Sequence, residues 1–152
     1  RWLEEPVSPM DDYDGLSFIR EHSNISIAAG ENEYTHYGFK TLIEKNAVDI
    51  LQPDVIKAGG LSCCRKILGM AEAWNIPLIT HSFYYGAGVA ATAHFVMANP
   101  FGNEMEICTT PIEENFISPD FRPVHGKITV SDAPGLGIDV NEDVVKHYRI
   151  DI

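Results

Sequence analysis

Apolar positions along the chain fall into short runs whose period switches between that of a helix and that of a strand. The segment MDDYDGLSFIREHSN carries Leu16, Ile19 and Arg20 at helical spacing, and ISIAAGE then reads as a short strand ending on a glycine. YGFKTLIEKNA repeats the step by placing Phe39, Leu42, Ile43 and Ala47 on one helical face, before VDILQPD supplies a strand stopped near Pro53. GLSCCRKILGMAEAW then sets Leu61, Cys64, Leu68 and Ala71 on one stripe. After it come a strand in NIPLITH, a small-residue helix in GVAATAHFVMA and a further strand-like run in NEMEIC. These strands lack the in-out alternation of a half-exposed sheet, so the pattern predicts a parallel sheet flanked by helices and an α/β fold.

Two stretches stand apart from this rhythm. At the start, RWLEEP reads as the end of a buried strand closed by Pro6, since proline removes a ladder donor. From about Thr109 the chain turns loop-like through PIEENFISPDFRPVHG. A strand in KITVSD, a turn in APGLG and a closing helix in NEDVVKHYRI are expected there. The expected division is residues 1–108 as βα units and 109–152 as a layer packed beside them, with no polar linker between.

Composition narrows the function classes. The chain has 152 residues, 45% of them hydrophobic, enough for one sizeable core. A formal net charge of -11 argues against nucleic acid or an anionic membrane as partner, because both surfaces repel it. Three cysteines, two adjacent at Cys63 and Cys64, give neither a disulfide framework nor zinc spacing, which points to a reducing, cytoplasmic setting.

The candidate chemistry lies at the strand ends. Glu4 (or Glu5), Glu31, Asp54, His81 and Glu106 recur at intervals of about 25 residues, one βα unit, which places them on one face. In parallel α/β folds the carboxyl ends of the strands form the functional face. Singly, a strand-end glutamate is more often a helix cap and a histidine a packed core residue. Together, four carboxylates and an imidazole would repel unless a cation or protons intervene, and hard oxygen donors point to Mg2+. His94 reads as structural, and His22, His36, His125 and His147 as solvent-facing. Ala58-Gly59-Gly60 is equally an anion-binding helix start or a tight βα contact.

The ordered set WLEEP, AGEN, QPDVIKAGG, THS and DAPGLGI resembles the carboxyl-terminal part of the enolase superfamily, in its mandelate racemase subgroup, over the whole chain. The resemblance implies the later strands of a (β/α) barrel, four to eight, in residues 1–108. It also implies that 109–152 return toward a capping domain. Glu4 and Glu31 then match Mg2+ carboxylates, Asp54 and His81 a hydrogen-bonded dyad, and Glu106 an acid kept protonated by its acidic neighbours. On this reading RWLEEP is the fourth barrel strand, and the sequence is a fragment lacking three strands, one metal carboxylate and a lysine-bearing strand.

The reaction so implied is proton abstraction beside a carboxylate, whose enediolate needs a cation and a hydrogen-bonding acid to stabilise it. ENEYTHYGF and the long later loop look more like the acid-sugar dehydratases, rhamnonate dehydratase among them, than like mandelate racemase. Asn32 and Lys57 depart from that pattern. The expected substrate is a sugar acid dehydrated to a 2-keto-3-deoxy acid. Racemisation or epimerisation of a 2-hydroxy acid and a non-catalytic truncated fragment are the alternatives. A homo-oligomer is expected for the full-length protein.

Overall fold

The computed structural model describes residues 1–150. Its elements follow the alternation: β1 (Trp2–Glu4), α1 (Tyr13–His22), β2 (Ser26–Ala29), α2 (Thr35–Glu44), β3 (Ile50–Leu51), α3 (Gly60–Trp74) and α4 (Ala87–Met97). A tail follows, with β4 (Ile117–Ser118), β5 (Asp139–Val140) and α5 (Glu142–Tyr148).

β1, β2 and β3 pair in sequence order and in parallel, with Glu4 opposite Ala28 and Ala29 opposite Leu51. Single parallel bridges carry the arc onward, from Leu51 to Leu78, Asp54 to His81 and Thr80 to Met105. Five successive chain segments therefore run the same way, and their carboxyl ends share one face. The runs read as strands in NIPLITH and NEMEIC are reduced to these bridges, and proline and asparagine at their starts leave little room for a ladder.

Strand residues on the helix side build the core. Ile27, Ala29, Leu51 and Leu78 meet Leu16 of α1, Phe39, Leu42 and Ile43 of α2, and Cys64, Ile67 and Ala71 of α3. Phe39 and Leu42 are 0% and 1% exposed, burial that contributes roughly 1.5–3 kcal/mol for each side chain. The α3 stripe needs one correction: Leu61, in the first turn of the helix, is exposed, and Ile67 joins Cys64 and Ala71 in the core. β1 needs another, since Leu3 is 43% exposed rather than buried; it shares a sheet face with its ladder partner Ile27, but β1 is the edge strand and has a strand neighbour on one side only among the described residues.

Caps fit the sequence. The Asp12 carboxylate accepts from Gly15 N at 2.9 Å at the start of α1, and Asn141 Oδ1 accepts from Val144 N at the start of α5. Gly59 and Gly60 take φ of +108° and +81°, and a Cβ on Gly60 would meet nothing. Glycine there supplies a left-handed turn rather than the tight contact weighed from sequence.

The tail packs on α4, where Val89, Ala90 and Ala93 form a second cluster with Ile117 and Phe121. KITVSD is not a strand: among residues 127–132 only Lys127 pairs, with Val124, and the two-stranded ladder joins Ile117–Ser118 to Asp139–Val140. Three consecutive β-branched residues, Ile128, Thr129 and Val130, gave the strand signal, but among the described residues no strand pairs with them. Among the described residues, no helix is long and apolar enough to cross a membrane.

Candidate active site

The arc of strands delivers the ionisable residues to one face, and three of them meet around His81. Asp54 ends the segment after β3 and is fully buried, while His81 is 7% exposed. Their Cα atoms face each other across a parallel bridge, and His81 Nδ1–H donates to Asp54 Oδ2 at 2.7 Å. The other carboxylate oxygen of Asp54 accepts from the backbone N–H groups of Ile56 and Lys57 at 2.7 and 2.9 Å. Local sequence makes this possible: Pro53 ends the strand, and the turn that follows points two amides back at Asp54.

Burial pushes the Asp54 carboxyl up, but the bonds from His81, Lys57 and Ile56 outweigh it and hold the group below the ordinary carboxylate range. His81 shifts the other way: the bond to Asp54 raises it above the ordinary histidine range, burial opposes this, and the charges of Glu31 and Glu106 add to the rise. Because Nδ1 is committed to Asp54, Nε2 is the nitrogen that faces outward. It lies 3.3 Å from Glu31 Oε2 and 3.6 Å from Glu106 Oε2.

Glu106 is oriented by Ser82, whose backbone N–H donates to its Oε2 at 3.0 Å and whose hydroxyl bonds its carbonyl. Glu31 also lies 3.8 Å from Lys57 Nζ, through its Oε1. Glu4 sits apart from His81 and accepts on Oε2 from Trp2 Nε1 and Gln52 Nε2, both at 2.8 Å. The neighbouring Glu5 instead bonds Asn32 Nδ2 at 2.8 Å and Gly30 N at 3.4 Å, so the two adjacent glutamates have different surroundings.

The donor set at this face suits magnesium in kind. Glu4 and Glu31 offer only carboxylate oxygens, from the ends of adjacent strands. A small hard cation takes one or two carboxylates and completes its shell with water and substrate oxygens. Among the described residues, no group of three His, Cys, Asp or Glu side chains is arranged to hold a metal ion.

Ser82, Gln52 and Lys57 complete the neighbourhood. Ser82 adjoins His81 and Gln52 precedes Pro53-Asp54, but polar residues beside a strand end carry no spacing signal, so sequence alone gave them no role. Tyr84 and Tyr85, which follow His81 closely in the chain, bond to neighbouring segments. The Tyr84 hydroxyl pairs with Thr92 Oγ1 of α4 at 2.6 Å, and Tyr85 OH contacts Cys108 Sγ at 3.0 Å. His94 is structural, Nε2 meeting the Leu136 carbonyl at 3.1 Å. His22, His125 and His147 are exposed, and His36 is half-buried.

Residues 1–144 match the family described as Enolase C-terminal domain-like. The D-galactarolactone cycloisomerase of Agrobacterium fabrum is 33% identical, over 98% of this chain and 42% of its own length. The L-rhamnonate dehydratase of Saccharopolyspora erythraea is also 33% identical, over 95% of this chain and 38% of its own. Among solved structures, the 3,6-anhydro-D-galactonate cycloisomerase from Zobellia galactanivorans superposes with a TM-score of 0.88 at 38% identity, covering 97% of this chain and 42% of that one. This chain thus spans about two-fifths of the length of the relatives it matches. Parallel βα units with their acidic residues on one face, and a family match over nearly the whole sequence, lead to one assignment: the chain belongs to the Enolase C-terminal domain-like family, in the mandelate racemase group of the enolase superfamily.

Proposed function

We propose that the protein carrying this chain dehydrates a sugar acid to a 2-keto-3-deoxy acid through an enediolate, with magnesium as cofactor. The observation that carries the reading is the Asp54–His81 pair, buried, bonded at 2.7 Å and presenting Nε2 toward Glu31 and Glu106. An imidazole so held exchanges a proton at one atom only.

On this reading His81 Nε2 takes the proton from the carbon beside the substrate carboxylate, and the C–H electron pair moves into the enediolate. Asp54 keeps the Nδ1 proton in place and stabilises the imidazolium that forms. Glu106, taken here in its protonated form, donates a hydrogen bond to the enediolate oxygen, oriented by the bonds from Ser82. The enediolate electron pair then expels the β-hydroxyl, which takes the proton from His81 and leaves as water, and the enol product becomes the keto acid. Glu4 and Glu31 would hold the magnesium ion, whose positive charge neutralises the substrate carboxylate as negative charge builds on it.

A second reading has its own support, the 38% identity to a structure named as a cycloisomerase. The same proton removal serves a cyclic sugar acid or lactone if the group expelled is the ring oxygen. That oxygen stays tethered, so the product keeps the mass of the substrate.

The test is a panel of aldonates, aldarolactones and anhydro sugar acids, given to the full-length protein with magnesium in deuterated water. Keto acid with loss of one water supports dehydration, and product of unchanged mass supports cycloisomerisation. Deuterium at the α-carbon without elimination would mean racemase or epimerase chemistry. Undiminished turnover in His81→Asn would remove the dyad from the mechanism.

A further inference from the structure

Glu4 is gripped on one side only. Its Oε2 accepts from the Trp2 indole N–H and from the Gln52 amide, each at 2.8 Å, and its Oε1 makes no hydrogen bond among the described residues. Gln52 is 4% exposed and follows β3 directly, two residues before Asp54. A carboxylate only accepts, so the bond to Glu4 fixes which end of the amide is nitrogen. The Gln52 carbonyl oxygen is then buried with no partner.

A half-satisfied amide is a poor filler for that space, since an apolar residue of the same size would leave no unpaired oxygen. What the amide provides, and an apolar residue cannot, is the hydrogen bond to Glu4. Glu31 lacks an equivalent grip: its nearest neutral donor is Asn32 Nδ2 at 3.3 Å, and Asn32 is shared with Glu5 and the sulfur of Met10.

We propose that Gln52 is a positioning residue for the cation site. Together with Trp2 it commits Glu4 Oε2 to the protein, which leaves Oε1 as the oxygen that faces a divalent cation. This rests on the reading of Glu4 and Glu31 as magnesium ligands. Hydrogen bonds behind a metal ligand orient it, and losing one typically costs roughly 10–100-fold in metal affinity. Two donors act on Glu4 Oε2, so removing one falls at the lower end of that range.

The experiment titrates magnesium chloride into the full-length protein by calorimetry, with no substrate present. Gln52→Met keeps the length of the side chain and deletes the donor, Trp2→Phe deletes the indole N–H at a half-buried position, and Glu4→Gln is the control. Gln52→Met is expected to bind magnesium about 10-fold more weakly, with Trp2→Phe shifted in the same direction. The magnesium concentration for half-maximal rate rises in step. Loss of binding in Glu4→Gln alongside parental affinity in both Gln52→Met and Trp2→Phe overturns the positioning role and leaves the metal reading standing. Parental affinity in Glu4→Gln overturns both. Should Gln52→Met fail to fold, Trp2→Phe decides: a weakened site sustains the inference and an unchanged one ends it.

Discussion

Asp54 carries two loads at once, a buried charge and the orientation of His81. Its depressed pKa makes it a source of pH-dependent stability, with the sign of a carboxylate that folding keeps ionised. Its contribution is complete above the ordinary Asp range and fades as pH falls through the lower folded value. Asp54→Asn is therefore expected to lower stability by about 1–3 kcal/mol at neutral pH. Thermal melts of the two proteins should begin to draw together only as pH falls below about 4. A gap that stays constant down to pH 2 would separate Asp54 from acid sensitivity. Recurrence of ionisable residues at one βα phase made Asp54, His81, Glu31 and Glu106 visible in sequence. That same spacing could not tell Glu4 from Glu5, which only the Gln52 and Asn32 hydrogen bonds distinguish.

Elements are held in place by backbone contacts as tight as the site itself. Gly30 closes β2 with φ of +133°, and a Cβ there would lie 2.8 Å from the Phe39 ring and 3.2 Å from Gln52 N. Gly30→Ala is thus expected to cost about 1–3 kcal/mol, read as a lower urea midpoint. Because the clash pushes on both α2 and the Gln52 backbone, it should also loosen the grip on Glu4. Asp49 ties three elements together, taking Arg20 Nε of α1 at 2.7 Å and Ile27 N of β2 at 2.8 Å from its place before β3. Helices α2 and α3 were legible because their apolar residues recur over ten and fifteen residues. The strands were less so: two to four residues hold too few positions to define a period, and KITVSD, with the right residue types, has no strand to pair with.

At the scale of the whole molecule, the arc of strands has an open side. Among the described residues β1 pairs only with β2, and Leu3, Ile56, Phe83 and Met97 are each more than two-fifths exposed. Unpaired strand edges and large apolar side chains in water favour association. Residues 1–152 produced alone are expected to sediment as dimers or larger species. A clean monomer at tens of micromolar would show that this face is tolerated in solution. By itself the sequence determined the α/β class, the order of the units, most of the helix faces that build the core and the strand-end residues Glu31, Asp54, His81 and Glu106. Those follow from periodicity and chain-order spacing, which are local properties. Tertiary structure alone decided that Glu31 and Glu106 join His81 beside Asp54, that Ser82 and Gln52 hydrogen-bond Glu106 and Glu4, and that Ile67 rather than Leu61 is core. Each depends on which strands lie side by side and how a side chain is aimed between them, and neither is written in the spacing of residues along one chain.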